Sequence, residues 1–217
     1  MSIPNFSLAE RQDISELESV LLKDGKLQCV DYAQIAPFPQ SHITQFCVLN
    51  ACYQIVTWEL VEFLKVKIGS RKAIEIGAGN GCLGRAMGIP MTDNYIQNRP
   101  HVKKYYESIH QPIVQYGEDV VNLEARNAIA IYRPQVVVGA WVSQVWKWGQ
   151  VDGLEGGVDE MEFKGRIQQY IMAGNESTHQ HKVILKDFPF KAYKFPWLIS
   201  RSINDKDKNV IWIFDCA

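Results

Sequence analysis

Glycines alternate at positions 77, 79 and 81 in the stretch AIEIGAGNGCLGRAMGIPMTD, Ala73 to Asp93, and an acid, Glu75, stands two residues ahead of the first of them. Glycine reaches backbone conformations closed to other residues. Gly77, Gly79 and Gly81, with Ala78 and Asn80 between them, therefore let the chain turn sharply, approach a ligand closely and aim N–H groups at it. Two phosphate-binding readings fail on residue type. The dinucleotide fingerprint GxGxxG needs its third glycine at position 82, which is Cys82, and a P-loop needs Gly followed by Lys and Ser or Thr, which the stretch lacks. A carboxylate at a strand end is unfavourable beside a pyrophosphate and favourable beside a cation, so Glu75 points to a cationic ligand.

S-adenosyl-L-methionine carries two such cations, an ammonium on its amino-acid tail and a sulfonium at its reacting centre. EIGAGNG, Glu75 to Gly81, matches at every defined position the first motif of the class I, Rossmann-like S-adenosylmethionine-dependent methyltransferases, an acid, any residue, then GxGxG. From about Arg71 onward the chain resembles that family. The resemblance implies that Glu75 orients the methionine end and that the backbone of Gly77 to Gly81 lines the cofactor's floor. It implies that Asp93, 18 residues beyond Glu75, accepts from the ribose hydroxyls, with Asn94 as the competing position. In YGEDVVNL it points to Asp119 for the adenine amino group and to the Val120 N–H for the ring, with Glu118 as the competing acid. It places the catalytic loop at GAWVSQVW, where Gly139, Ala140 and Trp141 would sit at the meeting point of substrate and sulfonium. No Asn or Asp followed by Pro-Pro and an aromatic occurs there, which argues against adenine or cytosine N-methylation, and no general base is evident.

Other chemistry-bearing residues admit plain readings. Trp141, Trp146 and Trp148 suit either an aromatic wall or simple packing. In AGNESTHQH, Asn175, Glu176 and His179 follow a core strand and would reach the active face as polar or general-base groups, or else form a surface loop. His179 and His181 lack a third ligand at metal-binding spacing, so no metal site is expected. Lys182, Lys186, Lys191 and Lys194 interleave with Phe188, Phe190, Tyr193, Phe195 and Trp197, which suits a single-stranded nucleic acid or an ordinary amphipathic connector.

The elements that must position these residues follow from periodicity and punctuation. An amphipathic helix is expected from Ser7 to about Leu22, and a long buried helix from Ser41 to about Val66, with the loop IAPFPQ between them. Lys72 to Ile76 reads as a strand, Gly81 to Met87 as a helix and IPMTD as a second strand, followed by an irregular KKYYESIHQ and the short run PIVQY. NLEARNAIAIYR reads as a helix, QVVVGAWV as a buried strand, and the second half of RIQQYIMAGNES as another. PWLISRSI and NVIWIFDC read as an antiparallel hairpin. The fold class is α/β, a mostly parallel Rossmann-like sheet with helices on both faces, a C-terminal antiparallel hairpin and a helical N-terminal extension. Residues 1–69 form the extension, on the lid or substrate side, and residues 70–217 the cofactor-binding core.

Composition bounds the partners. Among 217 residues, 23 Lys and Arg nearly balance 24 Asp and Glu, so no whole-protein field favours nucleic acid or an anionic membrane. The opening residues resemble neither a signal nor a transit peptide, and no apolar run reaches membrane-spanning length; a cytoplasmic protein with no membrane partner is expected. Cys29, Cys47, Cys52, Cys82 and Cys216 contain no CxxC pair, which argues against a disulfide framework or a cysteine–zinc site. The expected activity is methyl transfer from S-adenosyl-L-methionine to a small molecule, protein or nucleic acid. The rivals are a non-catalytic binding or interaction module and an NAD-dependent oxidoreductase, the latter disfavoured by Cys82 and Glu75.

Overall fold

The computed structural model describes residues 11–147 and 155–217. The helices are α1 (Ser15–Leu21), α2 (Tyr32–Ile35), α3 (Gln40–Leu49), α4 (Trp58–Ile68), α5 (Cys82–Met87), α6 (Pro100–Ser108), α7 (Ala125–Tyr132), α8 (Glu176–His179) and α9 (Ile184–Asp187). Seven strands form the main sheet: β1 (Ala73–Ile76), β2 (Met91–Asp93), β3 (Val121–Asn122), β4 (Val136–Ala140), β5 (Gln169–Asn175), β6 (Phe190–Tyr193) and β7 (Asn209–Asp215). Their order across it is β6-β7-β5-β4-β1-β2-β3, with β1 to β5 parallel and β7 antiparallel to both β5 and β6.

The central strands are near-continuous apolar runs because both faces are covered. On one face Leu60, Leu64 and Leu83 pack against Val136, Val138 and Ile171; on the other, Ile129 and Phe163 pack against Ile74, Ile76, Val137 and Tyr170. A third cluster ties the N-terminal helices together through Leu17, Leu21, Ile35 and Phe46 and includes Ile199 from the C-terminal part. Helix α4, from the N-terminal extension, thus shares the main core. No described helix is long and apolar enough to cross a membrane.

Four expectations need correction. The long helix from Ser41 is two helices, because Ala51 takes a left-handed conformation (φ 46°) after Leu49, and the β-branched run Ile55-Val56-Thr57 favours extended backbone. Gln54–Ile55 instead pairs antiparallel with Ile199–Ser200, and Thr57 Oγ1 accepts the Leu60 N–H at 3.3 Å to cap α4. The irregular KKYYESIHQ lies mostly in α6, which starts on Pro100 at its first position and buries only Val102, too little to leave an apolar stripe in the sequence. The resemblance sets the exit of the third strand at YGEDVVNL, ahead of Asp119, whereas the third parallel strand is Val121–Asn122, which follows it. The C-terminal antiparallel pair is present, but β6 supplies the partner of β7. PWLISRSI is drawn aside toward Gln54–Ile55, held by Asn209, whose Nδ2 donates to the Leu198 carbonyl at 2.8 Å and whose Oδ1 accepts from Ser200 Oγ at 2.8 Å. Of the first expected helix, Ser15–Leu21 is observed and residues 7–10 lie outside the described residues.

The strand order runs outward in opposite directions from β1 and β4, so the crevice beyond their carboxyl ends is the switch point where ligands of such sheets bind. Thr57→Ala removes the cap on which the approach of α4 to this sheet depends. Urea unfolding should show a loss of about 1 kcal/mol with an unchanged m-value; an unaltered midpoint would mean that the hydroxyl does not cap α4.

Candidate functional site

The loop after β1 lies in that crevice. Gly77, Gly79 and Gly81 all have left-handed φ values, 59°, 55° and 77°. A Cβ on Gly77 would stand 3.0 Å from Val142 Cγ2, and one on Gly81 would stand 2.8 Å from Val120 Cγ2, so glycine is required there by conformation and by space. Four N–H groups here are spent internally. Ala78 donates to the Thr92 carbonyl at 3.1 Å, Gly79 to Asp93 Oδ2 at 3.0 Å, Gly81 to the Ala78 carbonyl at 2.9 Å and Cys82 to Asn80 Oδ1 at 2.8 Å. Gly84, in the first turn of α5, donates to Glu75 Oε2 at 2.8 Å. A pyrophosphate cradle needs these donors free; here protein acceptors, two of them carboxylates, already hold them.

Glu75 is 2% exposed. Burial pushes its carboxyl up to about 8, against the opposing pull of the Gly84 N–H, and nearby Asp93 adds to the rise. Asp93 is itself raised by burial, although the N–H groups of Gly79, Tyr95 and Asn94 favour its ionised form. Two carboxyls thus converge on the loop in a setting where a cation would restore their charge. Glu75, Gly77 and Asn80 line a cavity of about 80 Å³ together with Tyr53, Gln54 and Trp141. Gln54 Oε1 is buried without a hydrogen-bond partner, an acceptor in need of a donor. Sites that enclose drug-sized ligands hold roughly 300–1,000 Å³, so a nucleoside-sized ligand would extend beyond this space.

Trp141 is positioned for such a role. Its φ of 57° is unusual for a bulky residue, its N–H donates to the Ala173 carbonyl at 2.8 Å, and its ring stacks on Tyr53 with centroids 6.3 Å apart. Behind it lies His179, 3% exposed, with its ring edge-on to Trp141 at 5.4 Å. Burial pulls the imidazole down to about 4, so it is neutral at pH 7, and it supports Trp141 without lining the cavity.

The other residues singled out in the sequence have different surroundings. Asn175 is fully buried and caps α8: its Oδ1 accepts the Ser177 N–H at 3.0 Å, and its Nδ2 donates to the Asp205 carbonyl at 2.7 Å and to Asn209 Oδ1 at 3.0 Å. Its polar atoms are taken by the protein. Glu176 is half-buried and pairs with Lys194 at 2.8 Å. Asp119 lies ahead of β3, and its carboxylate is held by Arg85 at 2.6 Å and 2.9 Å, which keeps it below the usual carboxylate range. The Val120 N–H donates to the Gly117 carbonyl at 3.0 Å. β3 ends at Asn122, and just beyond it the Leu123 N–H donates to the Asp93 carbonyl at 2.8 Å. Gly139 sits within β4, and a Cβ there would come within 2.8 Å of the Tyr170 hydroxyl.

The basic and aromatic strip is broken up, since Lys182 is buried against Glu160, Lys194 is paired, and Phe188 lies in the core. Trp148 is outside the described residues, as is the side chain of Trp146. Among the described residues no group of three His, Cys, Asp or Glu side chains is placed to hold a metal ion. Sequence reasoning missed Tyr53 and Gln54, because both lay inside a stretch read as continuous helix.

No family model matches the sequence, and no curated protein does. Similar solved structures include precorrin 8w decarboxylase from Methanobacterium thermoautotrophicum, 13% identical with a TM-score of 0.40, covering 75% of this chain and 91% of that one. A putative S-adenosylmethionine-dependent methyltransferase from Streptococcus mutans is 9% identical with a TM-score of 0.35, covering 70% of this chain and 46% of that one. The CurJ carbon methyltransferase is 11% identical with a TM-score of 0.40, covering 86% and 61%. Likeness this low carries no weight for function.

The Glu75 carboxyl gives a stability signature. Its folded value, about 8, lies above its ordinary value of 4.5, so the stability it contributes is complete below pH 4.5 and is lost as pH rises through 8. Glu75→Gln keeps an acceptor for Gly84 and has no proton to lose. Between pH 5 and pH 9 the variant should gain on the wild type by about 4 kcal/mol in urea unfolding; parallel pH profiles would show that Glu75 is ionised at its ordinary value.

Proposed function

We propose that this protein binds S-adenosyl-L-methionine in the crevice after β1 and transfers its methyl group to an acceptor held on the Tyr53 and Trp141 side. The observation that carries this reading is the polarity of the loop. The N–H groups of Ala78, Gly79, Gly81 and Cys82 are already bonded within the protein, and the groups lining the cavity include two acceptors, the Glu75 carboxyl and Gln54 Oε1. That set can take a cationic amino-acid tail, which Glu75 would meet in its ionised form, and the bonded loop N–H groups are not free for a pyrophosphate, which counts against the nicotinamide rival.

In this reading Glu75 and Gln54 hold the ammonium, the backbone from Gly77 to Gly81 forms the floor, and Asp93 at the end of β2 faces the ribose. The cofactor, when bound, supplies an already activated methyl electrophile. The protein's own part is positioning: the rigid β1–α5 turn fixes one partner, and Trp141, braced by His179, bounds the space for the other and keeps water out. The adenine lies toward Asn122 and Leu123 at the carboxyl end of β3, a placement supported by their contact with Asp93.

One observation favours a non-catalytic binding module. Among the described residues Glu75 is the one Asp, Glu or His side chain that lines the cavity, and it is held by the Gly84 N–H, while Asp93 and His179 are held in structural hydrogen bonds outside that lining. An acceptor nucleophile that needs no deprotonation would reconcile this with transfer.

Calorimetry separates the readings. S-adenosylmethionine and S-adenosylhomocysteine should bind, NAD should not, and Glu75→Ala and Gly79→Trp should each weaken binding by about tenfold or more, roughly 1.4 kcal/mol. Unchanged affinity in both variants would place the ligand elsewhere. Binding without movement of a labelled methyl group to any fraction of a cell extract would favour the non-catalytic module.

A further inference from the structure

The short ladder of Gln54–Ile55 with Ile199–Ser200 continues for one more residue on each side, where the Arg201 N–H donates to the Tyr53 carbonyl at 3.1 Å. Tyr53 and Arg201 are therefore cross-strand neighbours, and the Arg201 guanidinium lies over the Tyr53 ring, 4.8 Å from its centroid. The Tyr53 hydroxyl lies 3.2 Å from that of Tyr106 in α6, and the Tyr53 ring stacks on Trp141. Three separate parts of the chain thus meet at the Tyr53 wall of the cavity.

This cluster has a donor surplus. Among the described residues no Asp or Glu pairs with Arg201, although it is partly buried and its planar fork matches a carboxylate or phosphate. In the Tyr53–Tyr106 pair one hydroxyl donates to the other, which leaves one phenolic proton unused within the pair. Burial, reinforced by Tyr53, holds the Tyr106 phenol well above its ordinary value, so it keeps its proton at neutral pH. A guanidinium and a phenol donor beside two aromatic rings favour an anion attached to a flat body, and they disfavour a cation.

We propose that Arg201, Tyr53 and Tyr106 form a recognition subsite for an anionic group, carboxylate or phosphate, carried on a planar ring that packs against Trp141. Its role as the site of the methyl acceptor rests on the function proposed above; its existence as an anion site does not.

The test titrates the full chain with benzoate, phenyl phosphate, benzamide and benzylammonium, followed by tryptophan fluorescence, with and without saturating S-adenosylhomocysteine. At least one of the two anions should bind about tenfold more tightly than the neutral and cationic probes; which of them binds better tells carboxylate from phosphate. Arg201→Gln should abolish that preference and leave S-adenosylhomocysteine affinity unchanged, whereas Arg201→Lys should keep part of it. Tyr106→Phe, a milder change that guards against misfolding of the arginine variants, should weaken the anions roughly threefold. The proposal is overturned if the wild type shows no preference for the anions, or if the preference survives Arg201→Gln. It is also overturned if Arg201→Gln weakens S-adenosylhomocysteine as much as it weakens benzoate, because the subsite would then belong to the cofactor. If S-adenosylhomocysteine does not bind the wild type while the Arg201-dependent preference persists, methyl transfer falls and the anion subsite stands.

Discussion

The hydrogen bond from the Gly84 N–H to the Glu75 carboxyl is the constraint around which the crevice is arranged. α5 has only six residues, too few to form in isolation, and the positive end of such a helix leaves donors unsatisfied. Glu75 reaches from the buried central strand to meet one of them, and Asn80 meets another. A Cβ on Gly84 would stand 2.5 Å from Glu75 Oε2, so the close approach depends on glycine there as well. With β1 and α5 locked together, the three left-handed glycines have one path to follow, and that path brings the Gly79 N–H to Asp93.

The far wall of the crevice is built by long-range pairing. Asn209, at the start of β7, accepts from Ser200 and from Asn175 and donates to Leu198, which joins three chain segments at one buried amide. Satisfied networks of this kind fix geometry because each member, if displaced, leaves a buried polar atom unpaired. Here the network directs Ile199 and Ser200 toward Gln54 and Ile55, and with them it sets Arg201 across from Tyr53. The wall that would touch an acceptor is thus held by residues about 150 positions apart in sequence, Tyr53 and Arg201.

What was legible in the sequence was what local chemistry dictates. β1, β4 and β5 announce themselves as apolar runs because they are buried on both faces, and the turn at Gly77 to Gly81 announces itself because only glycine tolerates its conformation and its neighbours. The resemblance points to Asp93 at a strand end, and β2 does end there, its carboxylate accepting the Gly79 N–H as Glu75 accepts that of Gly84. The break between α3 and α4 was hidden because a buried turn with an apolar composition looks like buried helix, and it took Tyr53 and Gln54 with it. β3 is two residues long, below any periodicity, so Asp119 was read as a strand exit when it precedes the strand. Asn175 had the right residue type in the right place, but its partners Asp205 and Asn209 are distant in sequence and could not be read from its neighbours.

The central claim is that a buried, largely protonated Glu75 receives a cation. Binding S-adenosylhomocysteine at pH 7 should then expel the Glu75 proton. Calorimetry in buffers of differing ionisation enthalpy should show release of close to one proton per ligand, fading as pH rises through about 8 and absent in Glu75→Gln. Binding with no proton release at pH 7, or with the same release in the variant, would contradict the account.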